Sequence, residues 1–303
     1  MISYGQQTID STDIESIVKA LKGDLLTQGP FVNEFEERLA KFFGSKYASV
    51  VSSGTAALHL VAETLNLSKD DIVITSPITF LATVNCIEYV GGTPEFVDID
   101  VDNYTINPNL LYEQVKLHRE NGRNVKAIIG VDYAGNPCDW ESFREIADEF
   151  NIILINDNCH AMGAIYNKDP NYAINYADFV TQSFHPVKHI TTGEGGAIMT
   201  NNKKYHKNIN DLKTHGMTKD TSIVKNPHGP WYYEMHQLGF NYRITDFQCA
   251  LGINQLKRFE HFSKKRKQIA SIYDKELSKI EYLKTPAVNI NNEHAYHLYP
   301  LCI

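Results

Sequence analysis

Short apolar runs alternate along this chain with longer stretches of helical period. Seven of the runs are predicted as strands: YASVVSS, DIVITS, PEFVDID, VKAIIGVDY, IILIND, DFVTQSF and GAIMTN. Strands that alternate with helices are typical of an α/β protein with a mostly parallel sheet. A chain of 303 residues, 43% of them hydrophobic, is also long enough to bury a large core. We therefore predict the α/β fold class.

The first helix is predicted to run from Thr12 to Lys22. Thr12 and Glu15 stand at the spacing of a capping box, in which each side chain accepts a hydrogen bond from the backbone N–H of the other residue. Four apolar side chains share one face of this helix: Ile14, Ile17, Val18 and Leu21. A second helix is predicted over VNEFEERLAKFFG, with Gly44 as its stop.

The pattern changes at about Thr245. One long, charged helix is predicted through FQCALGINQLKRFEHFSKKRKQIASIYDKELSKI, followed by a connection that contains Pro and Asn. We therefore expect a large domain over residues 1–245, and over 246–303 a linking helix and the start of a smaller C-terminal domain. The chain ends on AYHLYPLCI, an apolar, strand-like run, so this second domain is expected to be incomplete.

Composition and charge narrow the class of protein. A formal charge of −7 argues against a general nucleic-acid or membrane surface, so an anionic partner must be held by specific groups. The start, MISYGQQTID, lacks the pattern of a secretory signal, and no stretch approaches the length of a membrane span. The cytoplasm is the expected compartment. Five scattered cysteines without a C-x-x-C pair favour neither a disulfide framework nor a metal site.

The first candidate for chemistry is a turn of small residues. The stretch SSGTAALHLVAETL follows a predicted strand and opens directly into a helix, so its free backbone N–H groups could hold a phosphate. The same residues could equally form an ordinary helix cap. The stretch matches neither G-x-G-x-x-G nor a P-loop, which counts against a dinucleotide or nucleoside-triphosphate site.

Two further polar groups follow later strands. Asp157 stands at the carboxyl end of the run IILIND, with His160 three residues on, and either side chain could instead have a purely structural role. Lys188 comes one strand later, between Ser183 and a turn rich in glycine that permits close approach of the backbone. Since ligands bind at the carboxyl ends of strands in open α/β sheets, we expect these groups to share one site.

Together these groups match the needs of pyridoxal 5′-phosphate (PLP). The cofactor requires an anion cradle for its phosphate, a lysine amine for its aldehyde, and a carboxylate beside its pyridine nitrogen. An aspartate there keeps the nitrogen protonated, and burial beside a cationic ring lowers the pKa expected for the lysine. Phe80, after another strand, could stack on the ring or could be a core residue.

The chain resembles the DegT/DnrJ/EryC1 family of sugar-nucleotide aminotransferases. The resemblance extends over nearly the whole chain, through LLTQGPFVNEFEERLAKFFG, VSSGTAALHL, SPITFLATVNCI, GGTPEFVDID, DYAGNPCD, NDNCHAMGA, SFHPVKHITTGEGGAIMTN, HGM, LGFNYRITDFQCALGINQLKR and HLYPL. It implies the fold-type I PLP-dependent transferase architecture of aspartate aminotransferase: a large mixed, mostly parallel sheet domain and a smaller C-terminal α+β domain, truncated here.

The resemblance also implies residue roles. Lys188 would hold the cofactor and move the proton, Asp157 would pair with the pyridine nitrogen, and His160 would lie near the phenolic oxygen. The implied cofactor-binding residues are Gly54, Thr55, Ala56, Phe80, Asp157, His160, Ser183, Lys188 and, from the neighbouring subunit of a homodimer, Asn241. The implied substrate contacts are Tyr4, Leu26, Thr27, Gln28 and Gly29. Asn158 and Cys159 depart from the small residues that many relatives have there.

Within the family, SFHPVKHITTGEGG, LTQG and HLYP are most similar to members of pseudaminic acid biosynthesis. Those members use L-glutamate to aminate C4 of a UDP-linked 4-keto-6-deoxy-N-acetyl-hexosamine. Two alternatives remain open: an aminotransferase for another keto-sugar nucleotide, and a truncated PLP-binding protein without turnover. A dehydratase is disfavoured, because relatives with that activity have histidine at the position of Lys188.

Overall fold

The fold is built on one large sheet, seen in a computed structural model that describes residues 5–220, 222–225 and 228–303. Seven strands form it: β1 (Tyr47–Val51), β2 (Asp71–Thr75), β3 (Thr93–Phe96), β4 (Asn124–Val131), β5 (Ile153–Asp157), β6 (Phe179–Ser183) and β7 (Gly196–Thr200). All seven predicted strands are confirmed. Their order is β1-β7-β6-β5-β4-β2-β3. Only β7 runs antiparallel to its neighbours, so the sheet is mixed and mostly parallel, as predicted.

Helices cover both faces of this sheet. The helices are α1 (Ser11–Leu21), α2 (Pro30–Phe43), α3 (Gly54–Thr64), α4 (Leu81–Tyr89), α5 (Pro108–Glu120), α6 (Trp140–Phe150), α7 (Tyr172–Tyr176), α8 (Lys203–Leu212), α9 (Asp246–Lys257) and α10 (Phe259–Leu277), with a 3₁₀ turn at Tyr133–Gly135. A short hairpin, β8 (Met217–Thr218) with β9 (Glu234–Met235), lies outside the main sheet. Within the described ranges, no helix combines the length and apolar character needed to cross a membrane.

The core consists of two apolar layers, one on each side of the sheet. Helices α2, α5, α6, α7 and α9 contribute to one layer, and α3, α4 and α8 to the other. Neighbouring residues of one strand serve different layers: in β4, Ile128 packs in the first and Ile129 in the second. Burial on both faces is why the strands read as continuous apolar runs rather than as alternating patterns.

The start of α1 differs from the prediction. Its N-cap is Asp10, and the capping box is formed by Asp10 and Asp13, not by Thr12 and Glu15. Asp13 is fully buried, where its carboxylate also accepts hydrogen bonds from Gln255 and Arg258. Contacts with a distant part of the chain therefore decide which residue caps this helix.

The apolar stripe of α1 is largely solvent-exposed in this chain. Ile14 is 55% exposed, Leu21 52% and Val18 40%. The helix instead turns Asp13 and Ala20 towards α9. The second predicted helix is confirmed: α2 ends at Gly44, whose φ of 70° is the left-handed cap conformation that glycine adopts without strain.

The single long helix predicted after Thr245 is wrong. The structure has two helices, α9 and α10, separated at Arg258. The guanidinium of Arg258 forms ion pairs with Asp10 and Asp13 and lies over the ring of Phe262. No glycine or proline stands next to Arg258, so the local sequence gives no signal for this break.

Residues 287–297 form backbone hydrogen bonds with loops beside the large sheet. Ile165 pairs with Glu293, the N–H of Ala295 donates to Gly135, and that of His297 donates to Ala134. The strand-like reading of AYHLYPLCI is wrong, because only an isolated bridge between Cys302 and Lys284 occurs there. The division into domains at residue 245 stays a prediction, although α9 packs closely against α1 and α2.

Candidate active site

The carboxyl ends of the parallel strands gather the predicted site residues at one edge of the sheet. Asp157, the last residue of β5, pairs with Thr181 of β6, and β6 ends two residues later at Ser183. Ser183 in turn pairs with Gly196, the first residue of the antiparallel β7. This register places Asp157 and the residues that follow β6 beside one another.

The turn before α3 is shaped as an anion cradle. The hydroxyl of Ser53 caps the helix by accepting from the N–H of Ala56 at 3.0 Å. The N–H groups of Gly54 and Thr55 lie in the first turn, where a helix has no carbonyl partner for them. Gly54 and Thr55 therefore fit their predicted role in phosphate binding, whereas the N–H of Ala56 is already engaged by Ser53.

Two glycines allow this turn to approach the strands closely. A Cβ added to Gly54 would lie 2.8 Å from Cβ of Ser183 and 3.2 Å from its hydroxyl oxygen. A Cβ added to Gly196 would lie 2.3 Å from the carbonyl oxygen of Ser53. Since real Cβ atoms do not approach other atoms so closely, any side chain here would push the turn away from Ser183.

Asp157 is held in place through both carboxylate oxygens. Asp157 is only 5% exposed to solvent. Oδ2 accepts from the Thr83 hydroxyl at 2.7 Å, and Oδ1 accepts from the N–H of Cys159 at 3.2 Å. The carboxylate is thus fixed at the sheet edge.

A second buried aspartate fixes the residues on either side of Asp157. Asp132 is fully buried, and one of its oxygens accepts from the side-chain amides of Asn156 and Asn158 and from the Tyr172 hydroxyl. Its other oxygen accepts from Trp140 Nε1 and from the N–H of Cys138. Burial raises the pKa of Asp132 to about 6, while the hydrogen bonds that its carboxylate accepts act in the opposite direction. Side chains alternate along a strand, so this anchor leaves Asp157 to point the other way.

Lys188 lies in a tight turn after β6. Its N–H donates to the carbonyl of His185 at 2.9 Å. Burial lowers the pKa of the amine from its ordinary value, while Cys159 and Asp157 act in the opposite direction. A lysine that gives up its proton more readily is a better nucleophile and a better proton acceptor.

His160 lies next to Lys188 and Asp157. Burial and the charge on Lys188 lower the pKa of His160 to about 4, and Asp157 acts against that shift. The imidazole is therefore neutral at physiological pH. Its buried Nδ1 has no hydrogen-bond partner among the described residues, which leaves a polar atom for a ligand.

The C-terminal segment brings a further histidine to this position. The ring of His297 lies 4.3 Å from that of His160, measured between centroids. Burial and the neighbouring His160 lower the pKa of His297 below its ordinary range. Arg266 of α10 donates to the carbonyls of His297 and Lys188 and so ties this segment to the lysine turn.

Phe80, the residue predicted to stack on the cofactor ring, lies on the protein surface. Phe80 is 66% exposed, so the alternative that it is a core residue is wrong. It stands at the N-cap of α4, one turn before Thr83. Its predicted contact with the face of the cofactor ring stays a prediction.

The loop Leu26 to Gly29 is exposed except for Gly29. Its conformation is set by Asp246 of α9, whose carboxylate accepts from the N–H of Gly29 at 2.7 Å. Thr27 pairs with Thr245. Tyr4 lies outside the described residues. Its neighbour Gly5 approaches Val187, beside Lys188. The predicted substrate contacts of both segments stay predictions.

Asn241 is exposed on the surface of this chain. The next residue, Tyr242, accepts at its carbonyl from the N–H of Ser52, beside the phosphate turn. The segment is thus firmly attached at the edge of the site, with the Asn241 side chain free to face outwards. Its predicted contact with a neighbouring subunit stays a prediction.

Three contributors to the site were missed in the sequence: Thr83, Asp132 and His297. Asp132 had a usable signal, since it directly follows an apolar strand just as Asp157 ends one. His297 belongs to the HLYPL segment that carried the family resemblance, without a role being assigned to it. Thr83 had no signal, because a threonine in the first turn of a helix is common.

The residues present fit PLP. The phosphate matches the cradle of Gly54 and Thr55, and the pyridine nitrogen matches the fixed carboxylate of Asp157. The aldehyde matches the Lys188 amine with its lowered pKa. The unpartnered Nδ1 of His160 is available to a polar group of the ring.

Comparison with known proteins agrees with this site. The model of the DegT/DnrJ/EryC1/StrS aminotransferase family matches residues 7–303. The chain is 41% identical, over all of its 303 residues and 77% of the relative, to UDP-4-amino-4,6-dideoxy-N-acetyl-beta-L-altrosamine transaminase of Campylobacter jejuni.

Solved structures give the same picture. The Helicobacter pylori aminotransferase PseC, involved in the biosynthesis of pseudoaminic acid, is 30% identical with a TM-score of 0.87, over 99% of this chain and 76% of that one. The PLP form of a putative sugar aminotransferase of Streptococcus pneumoniae is 28% identical with a TM-score of 0.87, over 99% of this chain and 77% of that one. The chain therefore belongs to the DegT/DnrJ/EryC1/StrS aminotransferase family and is a PLP-dependent aminotransferase.

Proposed function

We propose that this enzyme transfers the amino group of L-glutamate to C4 of a UDP-linked 4-keto-6-deoxy-N-acetyl-hexosamine. The observation that carries the proposal is the 41% identity, over the whole chain, to a transaminase named for the corresponding 4-amino sugar. The choice of glutamate as donor rests on the family resemblance of the lysine segment.

Lys188 and Asp157 have different roles in the proposed reaction. PLP, when bound, supplies the electron sink that makes a proton on the donor Cα or on sugar C4 labile. The Lys188 amine takes that proton and returns it, because its lowered pKa lets it act both as base and as acid. The carboxylate of Asp157, held by Thr83 and Cys159, would lie beside the ring nitrogen and accept its N–H hydrogen bond.

We assign the orientation of the cofactor to the phosphate-binding turn before α3 and to the rings of His160 and Phe80. The N–H groups of Gly54 and Thr55, with the Ser183 hydroxyl, bind the phosphate. His160, whose pKa is lowered to about 4, would meet the phenolic side of the ring through a neutral imidazole. The exposed ring of Phe80 would cover one face of the cofactor and keep water away from the reacting bonds.

The nucleotide sugar is assigned to Tyr4 and to the loop Leu26 to Gly29. This loop presents exposed polar side chains, and Gln28 has a φ of 54°, a conformation fixed by the neighbouring contacts with Asp246 and Thr245. A pre-formed loop loses little conformational entropy on binding.

A homodimer with shared sites is part of the proposal. Asn241 is exposed beside the phosphate turn, where a second copy could meet it, and α1 carries the exposed apolar residues Ile14, Val18 and Leu21. In a two-fold dimer the same surface serves both copies, so that each site is completed by its partner. The proposal also places the enzyme in the cytoplasm, where its five unpaired cysteines stay reduced.

The reaction is most directly tested in reverse, because amino sugars are stable reagents. The PLP-loaded protein is given 2-oxoglutarate with UDP-, GDP- and dTDP-linked 4-amino sugars in turn, and release of L-glutamate is measured. We expect glutamate only with the UDP-linked 4-amino-4,6-dideoxy-N-acetyl sugar. Lys188→Ala provides the background rate.

Two results separate the parts of the proposal. Exclusive use of a GDP- or dTDP-linked sugar would refute the substrate and leave the reaction class intact. Failure of L-glutamate to bleach the visible absorbance of the PLP-loaded protein would refute glutamate as the donor, whatever sugar is used.

A further inference from the structure

Two threonine hydroxyls form a line behind the Asp157 carboxylate. The Thr83 hydroxyl, fully buried in the first turn of α4, lies 2.7 Å from Oδ2 of Asp157. The Thr79 hydroxyl lies 2.8 Å from that of Thr83 and is half-buried. The line therefore extends from the loop before α4 to the sheet edge.

The direction of these hydrogen bonds follows from proton counting. A hydroxyl has one proton to donate, and a carboxylate can only accept. Thr83 must therefore donate to Asp157, and at its other contact it must accept from Thr79. Each bond polarises the next, so the Thr79 contact strengthens the bond to the carboxylate.

This arrangement is not the usual use of a helical threonine. Thr64 shows that use in the same chain: its hydroxyl donates to the carbonyl of Leu60, one turn earlier, at 2.8 Å. Thr83 instead donates to a side chain 74 positions away in the sequence. Its hydroxyl stabilises the negative charge of Asp157 and leaves the other oxygen to the N–H of Cys159.

We propose that Thr83, supported by Thr79, is a positioning residue of this aminotransferase, which holds the Asp157 carboxylate charged and aimed at the cofactor's pyridine nitrogen. The inference rests on the proposed cofactor site. The same turn carries Phe80, because the N–H of Thr83 donates to its carbonyl at 3.1 Å. The first turn of α4 thus couples the carboxylate to the residue assigned to the ring face.

The physical consequence concerns where one proton resides. The Asp157 carboxylate and the pyridine nitrogen of the cofactor compete for one proton. The proton stays on the nitrogen only while the carboxylate is the weaker base. A donated hydrogen bond stabilises the carboxylate form and so keeps the proton on the ring. Without the Thr83 hydroxyl, the proton moves towards Asp157, and the ring becomes a weaker electron sink.

The test replaces Thr83 by valine, which keeps the shape and removes the donor. Each protein is loaded with PLP carrying ¹⁵N in its ring, and the nitrogen resonance is recorded without substrate. We expect the wild-type and Thr83→Ser signals to report a protonated nitrogen. The Thr83→Val signal should move towards the unprotonated value. For Thr83→Val, kcat should also fall about tenfold, the effect of one hydrogen bond to a charged group, with KM for glutamate nearly unchanged.

A matched control separates positioning from stability. Thr200 is equally buried, and its hydroxyl donates to the carbonyl of Asp178 at 2.9 Å, at the opposite edge of the sheet. Thr200→Val should lower the melting temperature of the cofactor-free protein about as much as Thr83→Val, without moving the nitrogen resonance. If Thr83→Val fails to fold, Thr83→Cys, whose thiol is a weak donor, must show the same change.

Asp157→Asn distinguishes this inference from the cofactor site itself. A nitrogen signal that changes in Asp157→Asn but not in Thr83→Val or Thr83→Cys would overturn the role of Thr83 and leave the site standing. A signal unchanged in Asp157→Asn would overturn the placement of the ring, and the role of Thr83 with it.

Discussion

His294 makes the stability of this protein sensitive to acid. The residue is 2% exposed, and its Nδ1 accepts from the N–H of Tyr296 at 2.7 Å. The single proton of the neutral ring must then sit on Nε2, which is buried without a partner among the described residues. Burial lowers the pKa of His294 to about 3. Protonating Nδ1 would break the bond to Tyr296 and place a charge in the interior.

The sign and size of the effect follow from linkage. The unfolded chain binds a proton at His294 below its ordinary pKa of 6.5, whereas the folded protein does not until the pH approaches about 3. The folded state therefore keeps its full stability above the unfolded pKa and loses it as the pH falls through that window. Between pH 7 and pH 5 this one group lowers the free energy of unfolding by about 2 kcal/mol.

The perturbation is His294→Asn, whose side-chain oxygen can accept the Tyr296 N–H and does not titrate. The free energy of unfolding is measured by urea titration of the cofactor-free protein, followed by circular dichroism, at both pH values. The variant should be less stable at pH 7, because it loses the ring stacked on Tyr296. Its further loss on going to pH 5 should be smaller than that of the wild type by about 2 kcal/mol.

The control is His261→Asn, at an exposed position of α10. Its dependence on pH should match that of the wild type. Equal losses of stability in wild type and His294→Asn between the two pH values would contradict this expectation, since His294 would then bind its proton equally in the folded and unfolded chains.

Four further predictions concern the site and its support. Lys188→Ala should abolish transamination, and wild-type turnover in that variant would contradict its assignment. Asp157→Asn should retain PLP but lose about 10²-fold or more in rate, because an amide cannot hold the ring nitrogen protonated; near-normal turnover would show that Asp157 merely caps a turn. Mixing inactive Lys188→Ala and Asn241→Ala subunits should restore activity in hybrid dimers, one of whose sites is intact, and inactive confirmed hybrids would exclude shared sites. Asp132→Ala should cost about 4 kcal/mol or more in thermal or urea unfolding, since it leaves several buried donors unpaired, and a near-wild-type stability would contradict the role of this network.

The local pattern of residues was enough to predict the strands and the main reacting groups. Runs such as IILIND are apolar because helices cover both faces of the sheet. Consecutive residues must then all be apolar, which can be recognised in the sequence. Asp157 stood out because it ends an apolar strand, and Lys188 because it lies after the next strand, in a turn of small polar residues and glycines. Gly44 ended its helix as predicted, since the left-handed cap conformation depends on the residue itself.

The contacts that hold these parts in place join segments that are far apart in the sequence. The cap of α1 at Asp10 and the break at Arg258 depend on one ion-pair cluster between segments more than two hundred positions apart. Thr83 and His297 reach the site from a neighbouring helix and from the end of the chain. Neighbouring residues in the sequence indicate which positions are buried and where single turns occur. Which distant polar groups meet is set by packing of the whole chain, where each buried donor or charge must find a partner.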